Sequence, residues 1–208
     1  PVALIMSFPH VLVVPASSPA QTVADLVKLA KSQPSGLNFG TQGLGSGGQL
    51  LGELLRLESG APMTAVSYPG GAPALTDTLA GRLDFMFNAY APVQGFVDSG
   101  KLRVLAVTGN KRLKKLPNVP TLSEVGYPNV ELTYWFAVFA PAGTPKATID
   151  RLNSIFNEAQ RSAKVQALAE TSGADLAVSS PESLGALVDK DLITFRNIVE
   201  KAQIARQQ

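Results

Sequence analysis

Leu37-Asn38-Phe39-Gly40-Thr41-Gln42-Gly43-Leu44-Gly45-Ser46-Gly47-Gly48-Gln49-Leu50-Leu51 reads as a strand, a glycine-rich turn and a helix in immediate succession. Leu37 to Thr41 is short and apolar. Leu50, Leu51, Leu54, Leu55 and Leu57 then recur at helical spacing until Gly60, which marks an amphipathic helix with a glycine stop. Working outward, the same plan repeats on both sides. Upstream, Val11 to Val14 reads as a strand, and Thr22 with Asp25 opens a helix whose stripe is Val23, Leu26, Val27 and Ala30. Downstream, Thr64 to Tyr68 is a strand, Pro69-Gly70-Gly71 a turn and Ala72 to Ala80 a helix. Leu83 to Phe87 and Arg103 to Thr108 are further strands around a short helix near Pro92 to Val97. Alternation of this kind is the signature of an α/β unit.

Past Pro141 the texture changes. Pro145 to Arg161 and Pro181 to Gln203 read as helices capped by Thr144 and Ser180, with a shorter helix at about Ala163 to Thr171. Their apolar stripes need a partner surface, yet this region offers only Asp175 to Val178 as strand material. The sequence therefore predicts a compact α/β domain over residues 12–133. Residues 1–11 and 134–208 belong to a second lobe that is incomplete in this chain. The opening Pro1 to Phe8, apolar from its first residues, reads as the inside of a domain.

Composition narrows the function. Among 208 residues 45% are hydrophobic and 16% charged, with a net charge of +2 and no cysteine. A folded core is expected, and disulfide, thiolate and cysteine-metal chemistry are excluded. The charge excess is too small for a nucleic-acid partner. The one basic cluster, Lys111, Arg112, Lys114 and Lys115, reads as a solvated loop or as a contact for an anionic partner. No run of 18 apolar residues suggests a transmembrane helix.

The glycine turn is the leading candidate for chemistry. Successive glycines present backbone N–H groups above a helix start, where the dipole favours negative charge. The hydroxyls of Thr41 and Ser46 add neutral donors. Packing alone is the competing explanation. Gly43, Gly45 and Gly48 match the G-x-G-x-x-G spacing, but the next strand ends in Ser67-Tyr68-Pro69 without the acidic residue of a dinucleotide site. A second strand end, Tyr68 to Ala72, again opens a helix. Tyr68 reads either as a ligand-facing ring or as a half-buried tyrosine. Asn88 and Ala89 close a third strand, Asn88 reading as a ligand amide or a helix cap. Catalytic groups are thin: His10 has no partner at useful spacing, and Asp77 and Asp84 form no convincing acid–base pair. Binding, rather than catalysis, is the expectation, with no cofactor and no metal.

The stretches "FGTQGLGSGGQLLGELL", "VSYPGGAPALTDTLAGRLDFMF", "GKLRVLAVTGNKRLKKLPNVPTLSEVGYPNVE" and "FAPAGTPKATIDRLN" resemble the Bug (TctC-type) solute-binding proteins of tripartite tricarboxylate transporters, and the likeness runs through nearly the whole chain. The resemblance implies a type II periplasmic-binding-protein fold: one complete βα lobe, hinge strands, and C-terminal helices of a first lobe whose N-terminal segment is absent. It implies a periplasmic receptor that closes over a small organic acid and hands it to membrane components of a transporter. Carried over by position, the ligand contacts are Thr41, Gly43, Gly45, Ser46, Gly47, Tyr68, Gly70, Gly71, Ala72, Asn88 and Ala89. Where the family often has a histidine, this chain has Gln49. The exposed stripes of the incomplete lobe point to self-association. The alternative is a nucleotide- or phosphate-using enzyme built on the Gly43–Gly48 turn.

Overall fold

The structure is a computed structural model that describes residues 1–204. The chain divides into two compact units. The smaller comprises Pro1–Phe8 and Tyr134–Asn197, and the larger comprises Pro9–Thr133 together with the chain from Ile198 onward. The larger unit thus starts ahead of residue 12, because His10 already pairs with Ala89 in its sheet.

The larger unit holds β2 (His10–Pro15), α1 (Val23–Ser32), β3 (Leu37–Thr41), α2 (Gly47–Ser59), β4 (Met63–Ser67), α3 (Gly71–Leu79), β5 (Phe85–Ala89), α4 (Tyr90–Asp98) and β6 (Leu102–Val107). Its five strands run in the order β4-β3-β5-β2-β6. β4, β3 and β5 are parallel, while β2 is antiparallel to β5 and β6. Strands buried on both faces read as continuous apolar runs. Phe39, Phe85, Phe87, Met86 and Val11 to Val14 are accordingly fully buried. Phe39 stacks on Phe85 at 5.2 Å between centroids, and Phe87 meets Phe85 edge-on. Helix α2 crosses this aromatic layer at Gly52, where a Cβ would lie 2.2 Å from the Phe39 ring.

The smaller unit is a three-stranded sheet, β7 (Tyr134–Val138), β1 (Ala3–Phe8) and β8 (Asp175–Leu176), with β1 central and antiparallel to both neighbours. It is accompanied by α5 (Lys146–Gln160), α6 (Ala163–Ser172) and α7 (Pro181–Ala202), the last as far as Asn197.

Four local expectations shift. β5 starts at Phe85 rather than Leu83, because the Asp84 carboxylate takes the Asn38 N–H at 2.7 Å at the mouth of the ladder. Thr144 does not cap α5. Its hydroxyl donates to the Pro141 carbonyl at 2.8 Å, and Pro145 occupies the cap position. Thr121 and Glu124, after Pro120, have the spacing of a capping box and so predict a helix start; their reciprocal bonds do form, at 2.7 and 3.1 Å, yet they close a turn and no helix follows. Finally, the strand expected at Asp175 to Val178 shrinks to two residues, because its pairing with β1 ends at Leu176. Among the described residues no helix is long and apolar enough to cross a membrane.

Candidate functional site

Three parallel strands end side by side in the larger unit, so their three turns are neighbours. The β3 turn touches the β4 turn where the Tyr68 N–H donates to the Thr41 carbonyl at 3.2 Å. It reaches strand β5 through Gln42, whose Nε2 donates to the Phe87 carbonyl at 2.7 Å. That amide lies against the first turn of α2: a Cβ on Gly48 would come within 2.3 Å of Gln42 Oε1 and 2.9 Å of the Phe87 carbonyl. Gly71, opening α3, sits on the other side of the same side chain, its Cβ position 3.4 Å from Gln42 Cγ. Gln42 is therefore a strut between strand β5 and the starts of α2 and α3. Its only signal in sequence is its place inside the glycine run.

The expectation that the backbone N–H groups at the start of α2 are open is corrected for two of them. Ser46 Oγ accepts from the Gln49 N–H at 3.4 Å, and Gln49 Oε1 accepts from the Gly45 N–H at 2.7 Å. The Leu50 N–H bonds the Ser46 carbonyl. A glutamine long enough to fold back over its own helix start takes an amide that the sequence assigned to ligand. Ser46 still has a hydroxyl hydrogen to donate. Thr41 is fully buried, and its hydroxyl reaches only the Gly43 carbonyl, at 3.5 Å. It supports the turn from beneath instead of offering a surface donor.

The other two helix starts differ. α3 begins after Gly70 and α4 after Ala89, and neither has a side-chain cap. Gly70 adopts φ +150°, a conformation that L side chains rarely adopt, which lets the chain leave β4 and enter α3 at once. Asn88 does not cap α4. It is the penultimate residue of β5, buried, and paired in register with Val11. Uncapped first-turn amides combined with the helix dipole make both starts receptive to an anion.

Tyr68 is half-buried. Its ring packs against the apolar cluster that includes Ala74, Leu75 and Tyr90, while its hydroxyl donates to Asp77 Oδ2 at 2.7 Å. Arg82 holds the other oxygen of Asp77. The Tyr68 bond and, after it, the Arg82 charge hold the Asp77 carboxyl below the usual carboxylate range, and the same carboxylate raises the Tyr68 phenol. Asp77 is thus a brace for Tyr68. Burial pushes the His10 imidazole down to about 4. Its backbone N–H donates to Thr108 Oγ1 at 2.8 Å, a sheet-locking role. Among the described residues no group of three acidic, histidine or cysteine side chains could hold a metal.

The family model described as "Tripartite tricarboxylate transporter family receptor" (TctC) matches residues 1–204. The chain belongs to this family. Among curated TctC relatives, it is 33% identical to the "UPF0065 protein in tcbD-tcbE intergenic region" of a Pseudomonas species, over 100% of this chain and 62% of that protein. It is 31% identical to "Protein BugT" of Bordetella pertussis, over 97% of this chain and 62% of the relative. Among solved structures, "R. palustris Rpa4515 with adipate" superposes with a TM-score of 0.91 at 34% identity, covering 99% of this chain and 69% of that one. "MatC (Rpa3494) from Rhodopseudomonas palustris with bound malate" gives 0.83 at 26% identity, over 96% of this chain and 69% of that one. This TctC-family chain therefore spans about 62% of the length of those two curated relatives.

Proposed function

We propose that this chain is the capturing part of a periplasmic receptor that binds a small organic carboxylate and serves a tripartite tricarboxylate-type transporter in the membrane. The observation that carries the proposal is the pair of uncapped helix starts, α3 after Gly70 and α4 after Ala89, set beside the glycine turn at adjoining parallel strand ends. Ligands of open α/β sheets collect at the carboxyl ends of strands. In this reading the amides of Gly71, Ala72 and the α4 start meet the carboxylate, Ser46 donates a hydroxyl, and Gly43, Gly45, Gly47 and Gly70 let the backbone approach. Tyr68, Asn88 and Ala89 shape the wall, and Thr41 supports the floor. Pro1–Phe8 and Tyr134–Asn197 supply the crossing strands and closing helices of the first lobe.

Neither turn contains Lys or Arg. A carboxylate held by neutral donors is bound less tightly than one in an arginine fork, which suits a receptor that must release its cargo. Adipate and malate, the acids carried by two solved relatives, are the natural probes. Calorimetric titration should show binding of at least one. Ala72→Glu places a carboxylate in the exposed first turn of α3. There it favours the helix through the dipole while competing with the ligand, so it should abolish binding without lowering the melting temperature. Ser46→Phe should also abolish binding. Unchanged affinity in both variants would overturn the site, and binding of ATP or NAD in place of either acid would overturn the function.

A further inference from the structure

On the opposite flank of the larger unit, β6 is the last strand of the sheet, pairing with β2 alone along its length. Beyond it, among the described residues, a backbone partner appears only at Val107, through the bridge to Thr121. Beside the open part lies a groove of about 280 Å³ floored by Val97, Leu102, Val104, Leu116 and Val119, with Arg103 on its wall. One Arg103 amine, Nη1, donates to the carbonyls of Ser18 and Ala20, at 3.2 and 3.0 Å. These bonds fix the guanidinium but do not neutralise its charge. Lys101 follows the lining residue Gly100, and Lys114 and Lys115 precede the lining residue Leu116; all three are exposed. None of these four cations forms an ion pair among the described residues, whereas neighbouring Arg112 is paired with Glu124. Asp98, next to Val97, is the acidic residue adjoining the floor.

We propose that this groove is a docking site for an acidic peptide segment whose alternate side chains are apolar. The apolar floor takes one face of the peptide and the open edge of β6 runs beside its backbone, as in strand addition. Lys101, Arg103, Lys114 and Lys115 meet the carboxylates of its other face. The cations adjoin or belong to two separate lining segments, Gly100 to Val104 and Leu116 to Val119, which matches a chain carrying several negative charges better than a lipid with a single acidic head. The site lies on the far flank of the sheet from the strand ends and does not depend on the ligand reading.

The test is fluorescence anisotropy on the whole chain with a short labelled peptide alternating valine and glutamate. Its counterpart carries lysine for glutamate, and octanoate serves as competitor. The glutamate peptide should bind, weaken with added salt, and leave the lysine peptide unbound. Lys114→Glu with Lys115→Glu, on an exposed loop, should weaken it about tenfold, two rim charges being reversed. Leu116→Ala should weaken it as well, with the melting curve confirming the fold. Equal binding of both peptides would overturn the proposal. So would unchanged affinity in either variant, or binding of octanoate with none of the peptide.

Discussion

In the larger unit the middle strands β3 and β5 bury Phe39, Phe85 and Phe87 completely, whereas in the smaller unit β7 leaves Phe136 59% exposed and α7 leaves Leu192 59% and Ile193 62% exposed. The two sheets are held by different forces. The larger one rests on apolar burial between helices. The smaller is pinned by amide side chains reaching backbone carbonyls: Asn153 Nδ2 donates to the carbonyls of Val2 and Ser179, both at 2.8 Å, and Gln160 Nε2 donates to that of Leu4 at 2.9 Å. Trp135 Nε1 ties β7 to Asp191 on α7 at 2.6 Å. Burial is non-directional and large in sum. Hydrogen bonds are directional and individually modest. The larger unit should therefore resist perturbation until its core is opened, while the smaller should yield to the loss of single polar contacts.

The sharpest way to break the contrast is to empty the aromatic layer. Phe85→Ala removes a ring that contacts both Phe39 and Phe87. It should cost about 3–5 kcal/mol, the range for deleting a buried phenylalanine. Urea unfolding should show the loss, and hydrogen exchange should show β3 and β5 opening together. Slow exchange retained in those strands would mean that the larger sheet does not depend on its aromatic layer.

Acid offers a second test of the larger unit. The imidazole of His10 is pushed down to about 4 by burial, against about 6.5 in an unfolded chain. As pH falls below that unfolded value, the unfolded chain takes up a proton that the native state refuses. Stability thus holds level above about 6.5 and falls until pH passes the folded value. The full difference amounts to about 3 kcal/mol. Urea midpoints followed from pH 7 to pH 4 should show this slope in the parent and lose it in His10→Gln. Equal slopes would place the imidazole in contact with water.

The contrast also explains what could be read from sequence. The βα alternation, the glycine stop at Gly60 and the Thr22–Asp25 capping box depend on neighbours a few residues apart, and they appear where the pattern put them. The clustering of turns at the strand ends followed from fold class alone. What escaped was every contact made by a polar side chain over distance. Gln42 reaches the Phe87 carbonyl across 45 positions, and Asn153 reaches the Val2 carbonyl across 151. Even a short reach went unseen at Gln49, whose oxygen takes the Gly45 N–H, and at Asp77, which braces Tyr68. Amides and carboxylates carry no periodicity, so their partners become visible only once the backbone is placed.

The smallest effect is the most discriminating between the two units. Asn153 lies on α5, and its single amide group serves the carbonyls of both Val2 and Ser179. Ser179 Oγ in turn accepts the Leu4 N–H at 2.8 Å, so the segment before α7 is stitched to β1 from two directions. Asn153→Ala takes the amide donor from the Val2 carbonyl and leaves the Ser179 carbonyl to Asn157 Nδ2, which reaches it at 3.0 Å, for a loss of about 2 kcal/mol. Because the interaction belongs entirely to the smaller unit, hydrogen exchange in β1 and β7 should quicken while β3 and β5 keep their protection. Asn153→Asp is the sharper companion: it keeps the shape but replaces a donor with an acceptor facing two carbonyls, so it should destabilise more than alanine does. If aspartate were tolerated better than alanine, the clamp would be a matter of packing rather than hydrogen bonding. The two units would then be held by the same force.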